Sequence, residues 1–390
     1  MIALLLAAAI STQIVAAPSA AELVFRAKKG PSLVLTREQA SDLRERIRSD
    51  RATSDWWKRV RGEVRTYLKD EVRIPDRGGQ WPLYYNCKVC GVGLQADSPT
   101  AHRCPKCNKV YSGWPWDDVY LNESHSRLKE IVYKCGLVYA VDGDRACAEK
   151  VREIMLGYAR RYPTYPLINN SGAWKEGMKL RGFARAHSQV LDEAVWLCRM
   201  LPGYDWTKET FTEEERSLVE RDFFRPAVEV FKNENFGIQN HECWHLSAYG
   251  MIGLLMGDAD LVDAAVNSKT GLLQQLEKGV DADGCWFEGS WGYHFYAIMA
   301  MTPIVRALWN LGYAPSPRFK MMFDAPFGQV TPNGELPALN NSSPVRFSPK
   351  GLDKSYGDLY DLAWLWWKDP RYACWLGENP ARQSFSALRA

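Results

Sequence analysis

The chain has 390 residues, of which 46% are hydrophobic and 24% charged, and its formal net charge is +3. This composition excludes a disordered or collagen-like chain, and the balanced charge does not predict a nucleic-acid partner. Sixteen Trp, 18 Tyr, 14 Phe and ten Cys stand out, and we expect most of the aromatic residues to pack in the core.

The first 20 residues are typical of a signal peptide. They are apolar from Ile2 to Ile10, and Val15 and Ala17 fit a small-x-small cleavage site. The apolar run, interrupted at Gln13, is too short to span a bilayer. We therefore predict a signal peptide over residues 1–20, a periplasmic or secreted location and no membrane span after its removal. The sequence does not indicate an oligomeric state.

Helical periodicity dominates the rest of the chain. Thr36-Arg-Glu-Gln39 is a capping box that predicts a helix start. Alternating strand patterns are scarce, so we predict an all-α fold, a toroid of helical hairpins over residues 21–390. The main predicted helices are 124–141, 145–161, 186–202, 213–234, 241–256, 259–266, 269–280, 290–311 and 355–367.

Residues 80–115 form a distinct insertion rich in Cys, Gly, Pro and aromatic residues. Cys87, Cys90, Cys104 and Cys107 follow the pattern C-x2-C-x13-C-x2-C, which suits four thiolates around one tetrahedral zinc ion. A site filled by four cysteines has no open position, so the predicted zinc is structural. Two disulfides are the alternative, since an oxidising compartment would favour them.

Three short stretches combine histidine with polar and aromatic residues: 181–193, 239–245 and 283–296. His241 and His245 are four residues apart and share one helix face. Asn240 and His241 fall at the predicted helix start, where free N–H groups favour an anion. His-Glu-Cys-Trp-His also matches a zinc-protease motif, although no clear third ligand follows and Glu288 is only a conceivable one.

Several motifs together resemble one family of enzymes. They are Ser188-Gln-Val-Leu-Asp-Glu-Ala-Val-Trp196, Gln239-Asn-His-Glu-Cys-Trp-His245, Glu288-Gly-Ser-Trp-Gly-Tyr-His-Phe-Tyr296 and Asn333-Gly-Glu-Leu-Pro337. From about Leu33 to Leu376 the chain resembles the heparinase II/III-like polysaccharide lyases, in particular the alginate-lyase-like toroid group. The resemblance implies an incomplete (α/α) toroid that cleaves an acidic polysaccharide by β-elimination without an organic cofactor. Family members usually carry a C-terminal β-sandwich, which we expect to be absent from these 390 residues.

The resemblance also implies roles for individual residues. β-Elimination removes the C5 proton of a uronic acid, so a donor must stabilise the charge that develops on the adjacent carboxylate. Asn240 matches that donor, with His241 assisting. Tyr293, 53 residues after Asn240, matches the acid/base tyrosine, and Tyr296 is its alternative. His241 or His245 is the candidate partner base for the opposite sugar epimer.

Other side chains are candidates for contact with the sugar chain. They are His187, Arg181, Arg185, Trp174, Lys175, Glu288, Trp244 and His294. Plainer interpretations stay open, because Asn240 would also serve as a helix cap and His245 as a packed core residue. Two other functions also stay open: a glycoside hydrolase using Asp283 and Glu288, and a toroid that binds polysaccharide without cleaving it.

Overall fold

A computed structural model describes residues 19–314, 316–341, 343–348 and 354–377. Most of the predicted signal peptide lies outside these residues. The described part is mostly helical, and none of its helices is both long enough and apolar enough to cross a membrane. In chain order the helices are α1 (Ala20–Ala27), α2 (Arg37–Ser49), α3 (Arg51–Lys69), α4 (Trp116–Asp142), α5 (Arg145–Arg161), α6 (Val190–Thr207), α7 (Glu213–Val219), α8 (Arg225–Lys232), α9 (Asn240–Met256), α10 (Ala259–Asn267), α11 (Leu272–Gly279), α12 (Trp291–Asn310), α13 (Pro317–Gln329), α14 (Lys354–Trp367) and α15 (Pro370–Gly377).

Most of the predicted helices are confirmed. The Thr36 capping box opens α2, with the Thr36 hydroxyl accepting from the Gln39 amide and the Gln39 side chain accepting from the Thr36 amide. Helix α4 begins at Trp116, ahead of the predicted residue 124, and the predicted helix 213–234 is divided into α7, a π-helical turn over Glu220–Phe224 and α8. Helices α1, α13 and α15 are absent from the prediction, and in α13 Pro317 and Pro326 interrupt the helical pattern.

The helices α4, α6, α9 and α12 form a row in which each packs against the next. Helix α5 connects α4 to α6, α7 and α8 connect α6 to α9, and α10 and α11 connect α9 to α12. The starts of α9 and α12 lie close together, because Asn240 donates to Glu288, three residues before α12. The row is packed closely at Gly136 and Gly203, where a Cβ on Gly136 would lie 2.6 Å from the Gly203 Cα. A mostly helical array of hairpins is therefore confirmed.

Short strands build the insertion that precedes α4. Strands β1 (Gln95–Ser98), β2 (Ala101–Arg103) and β3 (Val110–Tyr111) form an antiparallel sheet in that order. His102 is fully buried and links the insertion to α4, because its Nδ1 lies 2.7 Å from the Tyr85 hydroxyl and its Nε2 lies 3.0 Å from Asp117 Oδ1. We call residues 81–113 the ribbon.

Two hairpins lie elsewhere. Strands β4 (Ile168–Asn169) and β5 (Gly172–Ala173) pair before α6, and β6 (Glu335–Leu336) and β7 (Val345–Arg346) pair after α13. The first hairpin touches the ribbon, since the Tyr84 hydroxyl donates to the Asn170 carbonyl oxygen at 3.0 Å. The ribbon therefore borders the segment that leads into α6.

Candidate active site

Asn240 lies at the start of α9, where the sequence placed it. Gln239 is extended, the helix begins at Asn240, and the Asn240 side chain is only 3% exposed. Its Nδ2 donates to both carboxylate oxygens of Glu288, at 3.0 and 2.8 Å. The structure thus joins two candidate residues that are 48 positions apart.

Tyr296 faces α9 from the neighbouring helix α12. Its ring centroid lies 5.7 Å from that of Trp244, one turn beyond Asn240. Burial raises the pKa of Tyr296 to about 12, and the negative charge of Asp192 adds to the effect. The Tyr296 hydroxyl therefore keeps its proton at neutral pH.

Tyr293 lies one turn earlier on α12. Its backbone amide donates to the Ser290 hydroxyl at 3.2 Å, which caps the helix, and its half-buried ring packs against the hydrophobic core. Tyr293 and Tyr296 are three residues apart, so both belong to the first turns of α12.

The two histidines of α9 differ in their surroundings. His241 is half-buried, its ring packs 4.9 Å from Phe236, and its Nδ1 is buried with no hydrogen-bond partner among the described residues. Burial lowers the pKa of His241, while the charge of Glu288 opposes that shift. His241 is therefore a mainly neutral imidazole beside a carboxylate.

His245 is 1% exposed and packs against Phe231 and Phe236, with ring centroids 5.6 and 5.5 Å away. Neither ring nitrogen has a hydrogen-bond partner among the described residues, although Nδ1 lies 3.8 Å from Glu242 Oε2. Burial lowers the pKa of His245 to about 3. The packing agrees with a core histidine, the plainer interpretation, but the hydrogen bonds expected of one are absent among the described residues.

The zinc-protease interpretation is not supported. Within the described ranges, the one group of three or more potential metal ligands is the set of four ribbon cysteines. His241 and His245 share a helix, but no third ligand joins them there.

His187 forms a second polar cluster at the start of α6. It is 3% exposed, and its Nδ1 lies 2.6 Å from Asn122 Oδ1 on α4. An amide oxygen only accepts, so Nδ1 carries the proton and Nε2 keeps a lone pair, which is buried without a partner in the described part of the chain. No sequence motif marks Asn122, because its role depends on the packing of α4 against α6.

A buried carboxylate fixes the segment that carries His187. Glu193 is fully buried and its Oε2 accepts from the backbone amides of Arg185, Ala186 and His187, at 3.0, 2.7 and 3.0 Å. Its other oxygen accepts from the Tyr162 hydroxyl. Glu193, the glutamate of the Ser-Gln-Val-Leu-Asp-Glu motif, therefore has a structural role: it fixes the backbone of this segment.

Arg185 and His294, two of the predicted substrate contacts, both bind groups of the protein, and their contact with substrate stays a prediction. The Arg185 guanidinium donates to the Tyr165 carbonyl oxygen at 2.5 Å and holds the chain. His294 is 1% exposed, accepts from the Trp286 amide at 3.1 Å through Nδ1 and donates to the Met322 carbonyl oxygen at 2.9 Å through Nε2. Both His294 nitrogens are thus occupied within the protein.

The remaining predicted contacts lie on the segment before α6. Arg181 is exposed and stands 5.6 Å from the centre of the Phe236 ring, which also packs on His241. Trp174 is half-buried and donates from Nε1 to the Met178 carbonyl oxygen at 3.0 Å, while Lys175 is exposed. Arg181 is therefore joined to the α9 group through a shared aromatic neighbour.

A cavity of about 270 Å³ opens beside the turn that precedes α12. Asp281, Asp283, Phe287 and Leu339 are among its lining residues. Two carboxylates make this cavity unfavourable for a polyanion. The group around Asn240 and Tyr296 is the better candidate for an anionic sugar.

The four ribbon cysteines converge. Their sulfur atoms all lie within 4.8 Å of one another, and Cys87 Sγ is 3.7 Å from Cys107 Sγ. Zn–S bonds of about 2.3 Å in a tetrahedron place sulfurs about 3.8 Å apart. In both knuckles the second cysteine's amide donates to the first cysteine's sulfur, Cys90 N to Cys87 Sγ and Cys107 N to Cys104 Sγ. The residues present fit a tetrahedral ion.

Comparison with known proteins identifies the family to which the chain belongs. The family model described as alginate lyase matches residues 95–316, more than half of the chain. The chain belongs to the alginate lyase family. The alginate-lyase part of the resemblance is therefore confirmed, whereas the heparinase II/III-like assignment stays a prediction.

Two curated proteins are similar in sequence to this alginate lyase family member. An alginate lyase of Stenotrophomonas maltophilia (strain K279a) is 33% identical over 186 residues, 45% of this chain and 24% of that protein. An exo-oligoalginate lyase of Saccharophagus degradans (strain 2-40) is 30% identical over 198 residues, 48% of this chain and 26% of that protein. The matched region thus spans about a quarter of the length of these relatives.

A solved structure supports the fold. The chain is similar to a crystal structure of an alginate lyase from Bacteroides ovatus, with a TM-score of 0.60 over 96% of this chain and 99% of that one. The sequence identity is 13%, so this likeness concerns the fold alone. It agrees with the helical toroid predicted from the sequence.

Proposed function

We propose that this chain is a polysaccharide lyase that cleaves a uronic-acid polysaccharide by β-elimination, with alginate as the first substrate to test. The observation that carries the proposal is the placement of Asn240 at the start of α9 and of Tyr296 on the first turns of the neighbouring α12, where Tyr296 touches Trp244, four residues after Asn240, in a chain of the alginate lyase family. A carboxylate-binding donor and a proton-bearing hydroxyl are the two groups that this reaction requires.

The reaction has three parts. Asn240 donates to the uronate carboxylate and stabilises the charge that develops as the C5 proton leaves. His241, whose neutral form burial favours, takes that proton. Tyr296 gives its proton to the O4 atom as the C4–O4 bond breaks, and the electron pair of the C5–H bond becomes the C4=C5 double bond.

The choice of Tyr296 over Tyr293 rests on contacts. Both rings pack against the core, and the Tyr296 ring in addition touches Trp244 on α9. His245 is set aside as the base because it is 1% exposed between two phenylalanine rings. Arg181 is the best placed of the predicted sugar-contacting cations.

The hydrolase alternative fits the geometry less well. A hydrolase needs one carboxyl group as an acid and another as a base or nucleophile. Both oxygens of Glu288 accept from Asn240, and Oε2 also accepts from Trp286 Nε1 at 2.5 Å. This leaves Glu288 as an internal acceptor, and Asp283 lines a separate, exposed cavity.

A panel of uronate polymers tests the proposal. Purified protein is incubated with alginate, polygalacturonate and hyaluronan, and products are followed by the ultraviolet absorbance of the unsaturated uronate end and by reducing ends. We expect both signals with alginate. Reducing ends without the absorbance would establish hydrolysis instead, and binding without either signal would establish a non-catalytic toroid.

Asn240→Leu is the matched variant for the panel. It keeps the approximate size of the side chain and removes the donor without placing a second carboxyl group against Glu288, so we expect a loss of at least 10²-fold in kcat, the usual cost of one such donor. Unchanged kcat in a folded Asn240→Leu variant would contradict the role of Asn240.

We also propose that the ribbon binds one structural zinc ion through Cys87, Cys90, Cys104 and Cys107. Sulfurs spaced as in a tetrahedral site and two amide-to-sulfur bonds support this. The ion would hold the two knuckles together and take no part in the reaction at the candidate active site. Metal analysis of reduced protein should give one zinc per chain, and oxidised cysteines without metal would instead establish disulfides.

We propose as well that the protein is exported, on the basis of the apolar residues from Ile2 to Ile10 and the small residues that follow. Cell fractionation and N-terminal sequencing of the mature protein test this. A cytoplasmic protein that retains Met1 would contradict it.

A further inference from the structure

Glu288 holds the amide of Asn240 in one orientation. Asn240 Nδ2 lies 3.0 and 2.8 Å from the two Glu288 oxygens, and the Asn240 side chain is 3% exposed. A carboxylate accepts and does not donate, so it selects the amide nitrogen over the amide oxygen at this contact. The amide nitrogen carries two hydrogens, and one of them remains for a second acceptor.

Glu288 is itself held in place. Trp286 Nε1 donates to Glu288 Oε2 at 2.5 Å, and the backbone amide of Trp286 donates to His294 Nδ1 at 3.1 Å. The backbone amide of Phe287 donates to the Gly279 carbonyl oxygen at 2.9 Å. The side chain and the backbone around it are therefore both tied to the helical scaffold.

The turn that follows Glu288 is also held by a contact with a distant residue. Asn340 Nδ2 donates to the Gly289 carbonyl oxygen at 2.9 Å, and Gly289 has a φ of +70°. A Cβ on Gly289 would stand 2.4 Å from Asn340 Nδ2, so the approach depends on glycine. A turn with this many fixed contacts does not release Glu288 readily, which argues against a carboxylate that swings aside when a substrate arrives.

We infer that Glu288 is a positioning residue that orients Asn240, so that the free N–H of its amide points towards the uronate carboxylate. The inference rests on the proposed lyase function. It changes the part assigned to Glu288 from sugar contact to internal acceptor. It also explains why a negative charge stands at a site for an anion: an amide or hydroxyl in its place could donate as well as accept and would leave the Asn240 amide free to turn over.

The test compares three variants at Glu288 or near it. Glu288→Ala removes the acceptor, Glu288→Gln keeps one acceptor oxygen, and Glu277→Gln neutralises an exposed carboxylate on α11 as the control. We expect Glu288→Ala to lower kcat on alginate by about 10- to 100-fold with KM changed less than about threefold, because the donor acts mainly on the developing charge. Glu288→Gln should regain part of that kcat, and Glu277→Gln should match the wild type.

A structural measurement separates this inference from the lyase function. In crystals of Glu288→Ala we expect the Asn240 amide to rotate away from its present direction; an unmoved amide, or unchanged kcat, overturns the inference. A lower KM with full kcat in Glu288→Ala would show that Glu288 competes with substrate, which also overturns it. If the wild type cleaves no uronate polymer, the proposed function fails, and the amide orientation still decides the positioning role.

Discussion

The ribbon and the candidate active site at the starts of α9 and α12 both gather polar atoms, but different contacts hold them. The ribbon brings four sulfurs within 4.8 Å on two knuckles, backed by a small buried cluster that includes Leu94 and Tyr111. In the candidate active site, Asn240 and Tyr296 lie on long helices that pack against the main hydrophobic core. A polar group on a packed helix is held by the scaffold, whereas sulfurs on short loops need an ion.

The largest expected effect is a loss of activity on substitution of Tyr296 in the candidate active site. Tyr296→Phe removes only the hydroxyl, and we expect kcat on alginate to fall by about 10²- to 10⁴-fold, the usual contribution of a positioned acid. Tyr293→Phe is the matched variant on the same helix, and we expect it to keep kcat within about threefold. Steady-state kinetics from the ultraviolet absorbance of the product measures both.

These two variants also settle which tyrosine the sequence pattern marks. If Tyr293→Phe loses activity and Tyr296→Phe keeps it, the assignment taken from contacts with Trp244 is wrong and the one taken from spacing is right. Both proteins should bind alginate, which equilibrium dialysis with the inactive variant checks.

Removal of the metal should affect the ribbon and spare the helices. We expect a chelator, or Cys104→Ser, to release the proposed zinc and unfold residues 81–113, since sulfur–metal bonds replace most of a core there. Far-ultraviolet circular dichroism should change little, while hydrogen exchange should rise in the ribbon. Cys198→Ser, at a buried thiol of α6, is the control that should keep one zinc per chain.

A cooperative loss of the whole fold on chelation would contradict this separation. It would mean that the contacts of His102 with Tyr85 and Asp117 transmit the loss of the ion to α4. The ribbon would then be part of the toroid's stability.

The same contrast explains what the sequence could predict. The four cysteines span 21 residues, and a helix start at Asn240 follows from local pattern, so both were predicted. The bond between Asn240 and Glu288 joins residues 48 apart and depends on how α9 packs against α12.

The sequence predicts the contacts of individual side chains less well than it predicts the helices. Arg185 and His294 have the residue types of a sugar-binding site, yet Arg185 Nη1 and both His294 nitrogens bind partners inside the protein, while Arg185 Nε is buried with no partner among the described residues. Asn122, which fixes the His187 tautomer, lies on another helix and has no motif. Residue type alone does not show whether a side chain faces a cleft or the core.

The smallest expected effect is on stability. It tests whether buried polar groups stabilise the helices that carry the candidate active site. Burial raises the pKa of Glu242 to about 7, and Glu242 is 4% exposed. Because the folded state holds this proton more tightly than the unfolded state, the free energy of unfolding should fall as pH rises from about 4.5 to 7. Glu242→Gln should remove that slope and be more stable than the wild type at pH 8, by at most about 3 kcal/mol.

Urea unfolding at pH 4 and pH 8 measures the effect, with the exposed Glu229→Gln on α8 as control. Glutamine can accept from the Phe236 amide and donate to the Thr270 hydroxyl, so it preserves the contacts of Glu242. At pH 4 the two proteins should be nearly equal, because Glu242 is already protonated. A Glu242→Gln variant that is less stable at pH 8 would instead mean that Glu242 is ionised against a protonated His245, 3.8 Å away, and that the helix scaffold depends on a buried ion pair.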